Sequence, residues 1–219
     1  MLAVANKCCN ASVAEGEKYG WDNDSEKNNE KLGGKDLINI GIYAAIYLVI
    51  MTAISMLGFI PIMMPMLSVL CPLIGGITMM LFFTKVKKFG MITIITIIIG
   101  AFLWVTGMGF WPFIFGIICG IVADLVAKSG DYSSKKKTVL SYGIMCITIF
   151  GCFLPLYLDI NGYFSTRTSF GNDYVEAMTR IFRPWTAPII LACSFVFGVL
   201  GALLGMHFLK KHFEKAGIV

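Results

Sequence analysis

The feature that most constrains this chain is the length of its stretches without a charged residue. From Leu37 to Thr84 the 219-residue sequence contains no Asp, Glu, Lys or Arg. A helix needs roughly 20 apolar residues to cross a membrane, so this stretch predicts two crossings joined by a turn. The turn is expected at Gly58–Pro61, because glycine and proline are tolerated at a membrane surface. The first span is then predicted from about Leu37 to Phe59 and the second from about Ile62 to Thr84.

Three further apolar regions complete a pattern of six spans. Phe89 to Ala123 is uncharged but is interrupted at Gly107–Pro112, which predicts two short spans or, alternatively, a re-entrant pair of helices. The fifth span is expected from about Thr138 to Leu158 and the sixth from about Trp185 to Leu209. Hydrophobic residues make up 57% of the sequence and charged residues only 14%, which excludes an ordinary soluble domain. We therefore predict an all-α, polytopic protein of the cell membrane.

The positions of the lysines predict the orientation, because short cytoplasmic loops are enriched in Lys and Arg. If both termini are cytoplasmic, every lysine after Lys35 lies inside, in the segments 85–88, 128–137 and 210–215. The long loop Asp159–Pro184 then lies outside and carries as many acidic as basic residues. The net charge of +5 has this topological explanation and also suits anionic lipid headgroups, so we expect no nucleic-acid partner. Residues 1–34 are interpreted as a mobile, polar cytoplasmic tail.

The sequence contains no catalytic or metal-binding pattern. Gly33–Lys35 lacks the upstream glycine of a phosphate-binding loop, so the chain is not expected to hydrolyse nucleotide. His207 and His212 are five residues apart and do not share a helix face, so no metal site is expected. Asp124 is the one acidic residue within a predicted span, and an i, i+4 pair with Lys128 is favoured over a functional role. A membrane-embedded enzyme would need paired ionisable groups at depth, so we predict that the protein is not an enzyme.

Aromatic and polar residues gather at the predicted outer face. The three tryptophans near this boundary are typical of an interfacial aromatic belt, although they could also border a pocket. The Asp159–Pro184 loop is long enough to be a lid, and Asp173–Phe182 predicts a short amphipathic helix with Glu176 and Arg180 paired at i, i+4. A polar, aromatic pocket under such a lid predicts a small-molecule site. The candidate binding residues are Trp104, Trp111, Asn161, Tyr163, Arg167, Asp173, Tyr174, Glu176, Arg180 and Trp185.

Pairs of small residues four positions apart recur in the predicted spans. They let helices approach closely, and their usual role is internal packing. The pair in the first span could also slide against a partner helix. The pairs are Gly41 and Ala45, Gly116 and Gly120, and Gly201 and Gly205.

Several segments together resemble a known family. They are Lys35–Ile42, Leu57–Pro61, Lys85–Met91, Ala123–Leu125 with Lys128–Gly130, and Lys210–Gly217. They resemble the Trep_Strep, or MptD-type, group of substrate-binding S components of energy-coupling-factor transporters, over about residues 35–217.

This resemblance implies that residues 35–219 form a six-helix domain that captures a micronutrient-like molecule at the outer face. It implies a transmembrane coupling subunit and two cytoplasmic ATPases as partners, with ATP used by those subunits and no cofactor in this chain. Gly41 and Ala45 match the spacing of the family motif that meets the coupling subunit, with glycine replacing one alanine. By position, Trp111 and the Asp159–Pro184 loop match the family's substrate contacts, but no motif indicates which substrate. The alternatives are a solitary small transporter, an accessory structural membrane protein or an intramembrane enzyme.

Overall fold

The computed structural model describes residues 32–86, 88–165, 167 and 170–215. Within these residues the regular structure is entirely helical. Of the tail predicted for residues 1–34, residues 1–31 lie outside the described part of the chain. The assignment of that tail as a mobile cytoplasmic segment therefore stays a prediction.

Six helices in the described part of the chain are long and apolar enough to cross a membrane, with 18 to 27 residues each. They run over Gly34–Phe59, Met63–Phe83, Met91–Met108, Trp111–Lys128, Lys135–Leu158 and Pro184–Lys210, and are called spans 1 to 6. Span 5 consists of the consecutive helices Lys135–Cys146 and Thr148–Leu158, and the helix of span 6 continues to Lys215. The prediction of an all-α, six-span membrane protein is confirmed.

The fourth span has 18 residues, which corresponds to about 27 Å of helix at 1.5 Å per residue. The third also has 18 residues, of which Met91–Leu103 form an α-helix and Trp104–Met108 a π-helical turn that leads into Gly109. Full crossings and a re-entrant pair both stay predictions for these two spans. Gly107 has φ 90° and Gly109 has φ 89°, a left-handed conformation that only glycine adopts readily. These two glycines therefore fix the turn that the sequence predicts here.

Polar contacts join the segments that connect the spans, at both ends of the bundle. At one end, Tyr174 bonds to Gly58 and Arg167 bonds to Gly107, which joins the segment 159–183 to the turns after spans 1 and 3. We call this the lid end, and the segment 159–183 the lid. At the opposite, lysine end, the Nζ of Lys88 lies 2.9 Å from the Oδ2 of Asp36. This separation agrees with the predicted topology, and the cytoplasmic location of the lysine end stays a prediction.

Spans 2 and 6 cross at glycines. A Cβ atom built on Gly76 would lie 2.8 Å from the Cα atom of Gly201, and one built on Gly205 would lie 2.6 Å from the Gly76 carbonyl oxygen. The two backbones are too close for any side chain to fit between them, as at other small-residue contacts of membrane helices. Gly201 and Gly205 therefore serve internal packing, as predicted.

The small residues of span 4 pack in the same way, against span 3. A Cβ atom built on Gly116 would lie 2.9 Å from the Thr96 carbonyl oxygen, and one on Gly120 would lie 3.1 Å from the Thr93 Cα atom. Gly116 and Gly120 are both buried. These contacts hold spans 3 and 4 close together, which again is the predicted internal use.

Asp124 joins the same two spans by hydrogen bonds. Its carboxylate is fully buried, and Oδ2 accepts bonds from the backbone nitrogen and the hydroxyl of Thr93, at 2.7 and 2.5 Å. Thr93 lies in the first turn of span 3, where backbone N–H groups lack partners within the helix and a negative charge is favourable. The predicted pair with Lys128 is not among the ion pairs of the described residues, and Lys128 Nζ instead lies 5.2 Å from the centre of the Phe89 ring. The partner of Asp124 is thus a helix N-terminus, and its Oδ1 is buried without a hydrogen-bond partner among the described residues. A structural role for Asp124 stays the favoured interpretation.

Candidate ligand cavity beneath the lid

The lid contains two short helices, Ile160–Ser165 and Asn172–Ile181. The second is amphipathic, and its buried face consists of Tyr174 and Met178, which are four positions apart. The predicted pair on its outer face is confirmed, with Arg180 Nη2 2.6 Å from Glu176 Oε1. Both side chains of this pair are mostly exposed, so the pair adds little to stability. The helix is held in place by its buried face.

Tyr174 ties the lid to the turn that follows span 1. Its hydroxyl donates a 2.6 Å hydrogen bond to the carbonyl oxygen of Gly58, which is also buried. Burial raises the pKa of the Tyr174 hydroxyl, so it keeps the proton that this bond requires. Beside it, Phe170 lies 4.7 Å from the Tyr174 ring and stacks on Phe59 of the turn at 5.7 Å between ring centroids. The contact thus combines a buried hydrogen bond with an aromatic cluster.

Arg167 ties the lid to the turn that follows span 3. Its Nη1 donates a 2.6 Å hydrogen bond to the Tyr163 carbonyl oxygen, and its Nη2 donates to the Gly107 carbonyl oxygen. The guanidinium also lies 3.7 Å from the centre of the Tyr163 ring, a cation–π geometry. The Tyr163 hydroxyl contacts the sulfur of Met108 at 3.8 Å. The lid therefore bridges two turns that are far apart in sequence.

The C-terminal part of the lid packs on span 5. The ring of Phe182 lies 5.7 Å from that of Phe153 and 5.4 Å from that of Tyr157. The hydroxyls of Tyr157 and Thr186 are 2.9 Å apart, which joins span 5 to the start of span 6. With these contacts the lid belongs to the buried core of the lid end.

A cavity of about 430 Å³ lies beneath the lid, bounded by spans 1, 2, 3 and 5. Its wall is mainly apolar, with aromatic rings and methionine side chains prominent. The lining residues contributed by the spans include Tyr47, Met51, Leu67, Cys71, Ile99, Phe102, Met145, Thr148, Cys152 and Phe153, and those at the lid end include Phe59, Met108, Tyr163, Phe164, Arg167, Phe170 and Tyr174. A space of this size and character is typical of a small-molecule site, since such sites enclose about 300 to 1,000 Å³.

The charge of this cavity comes from Arg167. Among its described lining residues Arg167 is the one cation, and none is Asp or Glu. The ion pairs of the described residues are Lys88 with Asp36 and Arg180 with Glu176, so no carboxylate neutralises Arg167 there. The cavity is therefore apolar with a positive group at its lid end.

Three of the ten candidate binding residues line this cavity, and they are Tyr163, Arg167 and Tyr174. The other seven lie outside the lining. Of the tryptophans, Trp104 and Trp185 are exposed, and Trp111 is half-buried and stacks on Phe110 at 4.8 Å. Exposed indoles at one end of the spans agree with the aromatic-belt interpretation. The remaining four, Asn161, Asp173, Glu176 and Arg180, are exposed on the lid.

The profile of one protein family, described as a hypothetical bacterial integral membrane protein family and designated Trep_Strep, matches residues 34–215. The chain belongs to the Trep_Strep family. No curated protein and no solved structure matches it. The match covers all six spans, and it agrees with a multi-pass protein of a bacterial cell membrane.

Most of the cavity wall of this Trep_Strep chain is not among the candidate residues taken from the sequence. Tyr47 and Met51 of span 1, Cys71 of span 2 and Cys152 of span 5 all line the cavity but stand within uniformly apolar stretches. No sequence signal separates them from lipid-facing neighbours. Phe170 could have been found, because it lies within the predicted lid and is flanked by polar residues.

The two small residues predicted to meet a partner are exposed on span 1. A Cβ atom built on Gly41 would meet no atom within 4 Å, and Ala45 is exposed as well. Span 1 is also the least buried of the six, with 22% of its most apolar window buried against 61% for span 2. No other described residue covers the Gly41 and Ala45 face.

Proposed function

We propose that this protein is the substrate-binding subunit of an importer of the energy-coupling-factor type, which captures a small molecule in the cavity beneath the lid. The observation that carries the proposal is that cavity, about 430 Å³ in volume and partly covered by a segment held on two separate turns. A concave, mainly apolar space with a few polar groups is the usual form of a small-molecule site.

The direction of transport follows from the predicted topology. With the lysine end in the cytoplasm, the lid and its cavity face the outside, where a nutrient would be captured. Labelling of a single cysteine introduced at the exposed lid residue Asn161 tests this orientation. A membrane-impermeant maleimide added to intact cells is expected to react there. Protection until the cells are lysed would place the lid in the cytoplasm and overturn the capture of a ligand from outside.

The exposed face of span 1 supports the predicted partners, a transmembrane coupling subunit and two cytoplasmic ATPases. A face of small residues lets a partner helix approach closely and slide. Gly41 and Ala45 form such a face, and nothing in the described part of this chain covers it. The partners would hydrolyse ATP, and this chain would bind the ligand without catalysing a reaction. In keeping with that, Asp124 lies outside the cavity lining, and its Oδ2 is bonded to Thr93.

Co-purification with the partner subunits tests the assembly. The tagged protein is expected to retain a coupling subunit and ATPases of its host, and Ala45→Leu is expected to abolish that retention by adding bulk to the face. Ala192→Leu is the matched control, because Ala192 is also an exposed alanine, on span 6. Equal retention by both variants, or no retention by the wild type, would contradict the proposal. Uptake of a ligand by this chain alone in proteoliposomes would replace it with a solitary transporter.

A further inference from the structure

If the proposed function holds, the hydrogen bonds made by hydroxyl groups of the cavity wall indicate which class of ligand the cavity can bind. Thr52, Ser55 and Thr106 donate to carbonyl oxygens of their own helices at 2.7 to 3.0 Å. Thr96 does the same with two carbonyl oxygens. These four hydroxyls have used their donors but can still accept a bond, and the buried Thr148 Oγ1 of the lining has no hydrogen-bond partner among the described residues. A sugar or other polyol would find few further partners in a wall that is otherwise mainly apolar, and unpaired hydroxyls are costly in a buried site. The cavity is therefore poorly suited to a highly hydroxylated molecule.

Arg167 supplies a fixed positive charge to the same space. Its guanidinium is held by two backbone carbonyl oxygens and by the Tyr163 ring, all of which are uncharged. No carboxylate of the described residues pairs with it. A partly buried cation is stabilised by a nearby negative charge, and guanidinium groups bind carboxylates well. An anionic group on the ligand would provide that charge, whereas a cationic group would be repelled.

The rest of the wall suits an apolar, ring-shaped body. Phe59, Phe164, Phe170 and Tyr174 form a connected aromatic cluster at the lid end, with centroid distances of 4.7 to 5.7 Å. Five methionines line the cavity, and thioether sulfurs contact aromatic rings favourably. The methionines are Met51, Met56, Met64, Met108 and Met145. Aromatic rings also prefer to stack with one another, so a planar ligand body would gain contacts that an alkyl chain would not.

We infer that the ligand is an apolar molecule with a single anionic group, which lies against Arg167 while a ring-shaped body fills the space between spans 1, 2, 3 and 5. An alkyl chain with the same head, such as a membrane-derived fatty acid, shares this chemistry. Arg167 is thus a specificity residue, since it selects the charge of the ligand. The body of the ligand is selected by the apolar wall.

A series of six probes tests the inference on the purified full-length protein in nanodiscs. Naphthyl and decyl bodies each carry a carboxymethyl, a neutral carboxamide or an ammonium head, and binding is measured by isothermal titration calorimetry. The carboxylate is expected to bind about tenfold or more tightly than its amide, as a charge-assisted hydrogen bond in a partly buried site provides. The naphthyl carboxylate is expected to bind more tightly than the decyl one. The reverse order would identify a lipid-derived anion, and equal binding of the three heads, or no binding of either carboxylate, would overturn the inference.

Substitutions of Arg167 test whether this residue causes the preference for a carboxylate over an amide. Arg167→Gln is expected to reduce the ratio of carboxylate to amide affinity to within about twofold, while Arg167→Lys retains much of it because the charge remains. Arg183→Gln is the control, since Arg183 is an exposed lid arginine outside the cavity lining. If Arg167 only held the lid closed, both Arg167 variants would weaken all heads alike and leave the ratio unchanged. That result would overturn its role as a specificity residue.

A second pair of variants tests whether the probes bind in the cavity. Cys152→Phe adds a ring within the cavity wall and is expected to abolish binding of every probe, whereas Cys193→Phe adds the same ring on span 6, away from the lining. Unchanged binding in Cys152→Phe would show that the probes bind elsewhere. These measurements need no partner subunit. Probe binding can therefore fail while co-purification succeeds, and co-purification can fail while probe binding succeeds. The ligand class and the transport role are therefore tested separately.

Discussion

The crossing of spans 2 and 6 predicts a large difference between two chemically identical substitutions. Gly76→Ala would place a methyl group 2.8 Å from the Cα atom of Gly201, and closer still to its carbonyl group. Backbone atoms cannot rotate away as a side chain can, so the two helices must move apart. Overpacking of this kind costs about 1 to 3 kcal/mol. Gly205 packs on the carbonyl oxygen of Gly76, so moving the two helices apart also loosens this second contact. We therefore expect the free energy of unfolding to fall by an amount near the upper end of that range.

Gly41→Ala is the matched control, because it places the same methyl group in open space on an exposed helix face. Replacing glycine by alanine within a helix is favourable by roughly 0.5 to 1 kcal/mol where nothing obstructs the methyl group. The control should therefore be unchanged or slightly stabilised. Gly201→Ala should behave like Gly76→Ala, because its Cβ atom would lie 2.9 Å from the Leu73 Cα atom.

The free energy of unfolding can be measured by titrating the detergent-purified protein with SDS and following tryptophan fluorescence and circular dichroism. Refolding after dilution of SDS establishes that the transition is reversible. We expect the midpoint for Gly76→Ala to fall well below that of the wild type, and the midpoint for Gly41→Ala to equal or exceed it. If the two variants unfold at the same SDS fraction, the backbones of spans 2 and 6 are not in direct contact and the reasoning is refuted.

Three further predictions concern single hydrogen bonds or ion pairs. Asp124→Ala leaves the two donors of Thr93 without a partner and should lower the free energy of unfolding by about 2 to 4 kcal/mol in the same SDS titration, so an unchanged midpoint would contradict this role. Tyr174→Phe removes one buried bond between the lid and the turn after span 1, worth about 1 kcal/mol, and should speed cleavage of the lid by trypsin. Glu176→Gln removes only the exposed partner of Arg180 and should change stability by less than about 0.5 kcal/mol, so a larger loss would show that this pair matters more than its exposure suggests.

Several features of this fold could be predicted because they depend on local sequence. The number of spans follows from the lengths of the uncharged stretches, since a charged residue is costly within the hydrocarbon. The lid helix is amphipathic, so its periodicity predicted both the helix and the exposed pair of Glu176 and Arg180. The glycine pairs of spans 4 and 6 were recognisable because only small residues permit such close contact.

The partner of Asp124 and the cavity could not be predicted from the same patterns. A carboxylate within a span must find hydrogen-bond donors, but the sequence does not state whether Lys128, four positions away, or Thr93, on another span, supplies them. The cavity is bounded by four spans and two lid helices, and only its lid residues stand out in sequence. The cavity-lining residues Tyr163, Arg167 and Tyr174 could therefore be named as candidates from the sequence, whereas Tyr47 and Cys152 could not.

The sequence by itself thus determined that six helices cross a membrane, where they turn, and which short helix forms in the long loop. Only the tertiary structure decided which side of each span faces a neighbour, which faces lipid and where the packing leaves a cavity. The physical reason is that lipid is as apolar as the interior of the bundle. Apolar residues are therefore favoured both where a span packs on another helix and where it faces lipid. In a water-soluble protein the 3.6-residue spacing of apolar side chains identifies the buried face of a helix, but within these spans it carries little information.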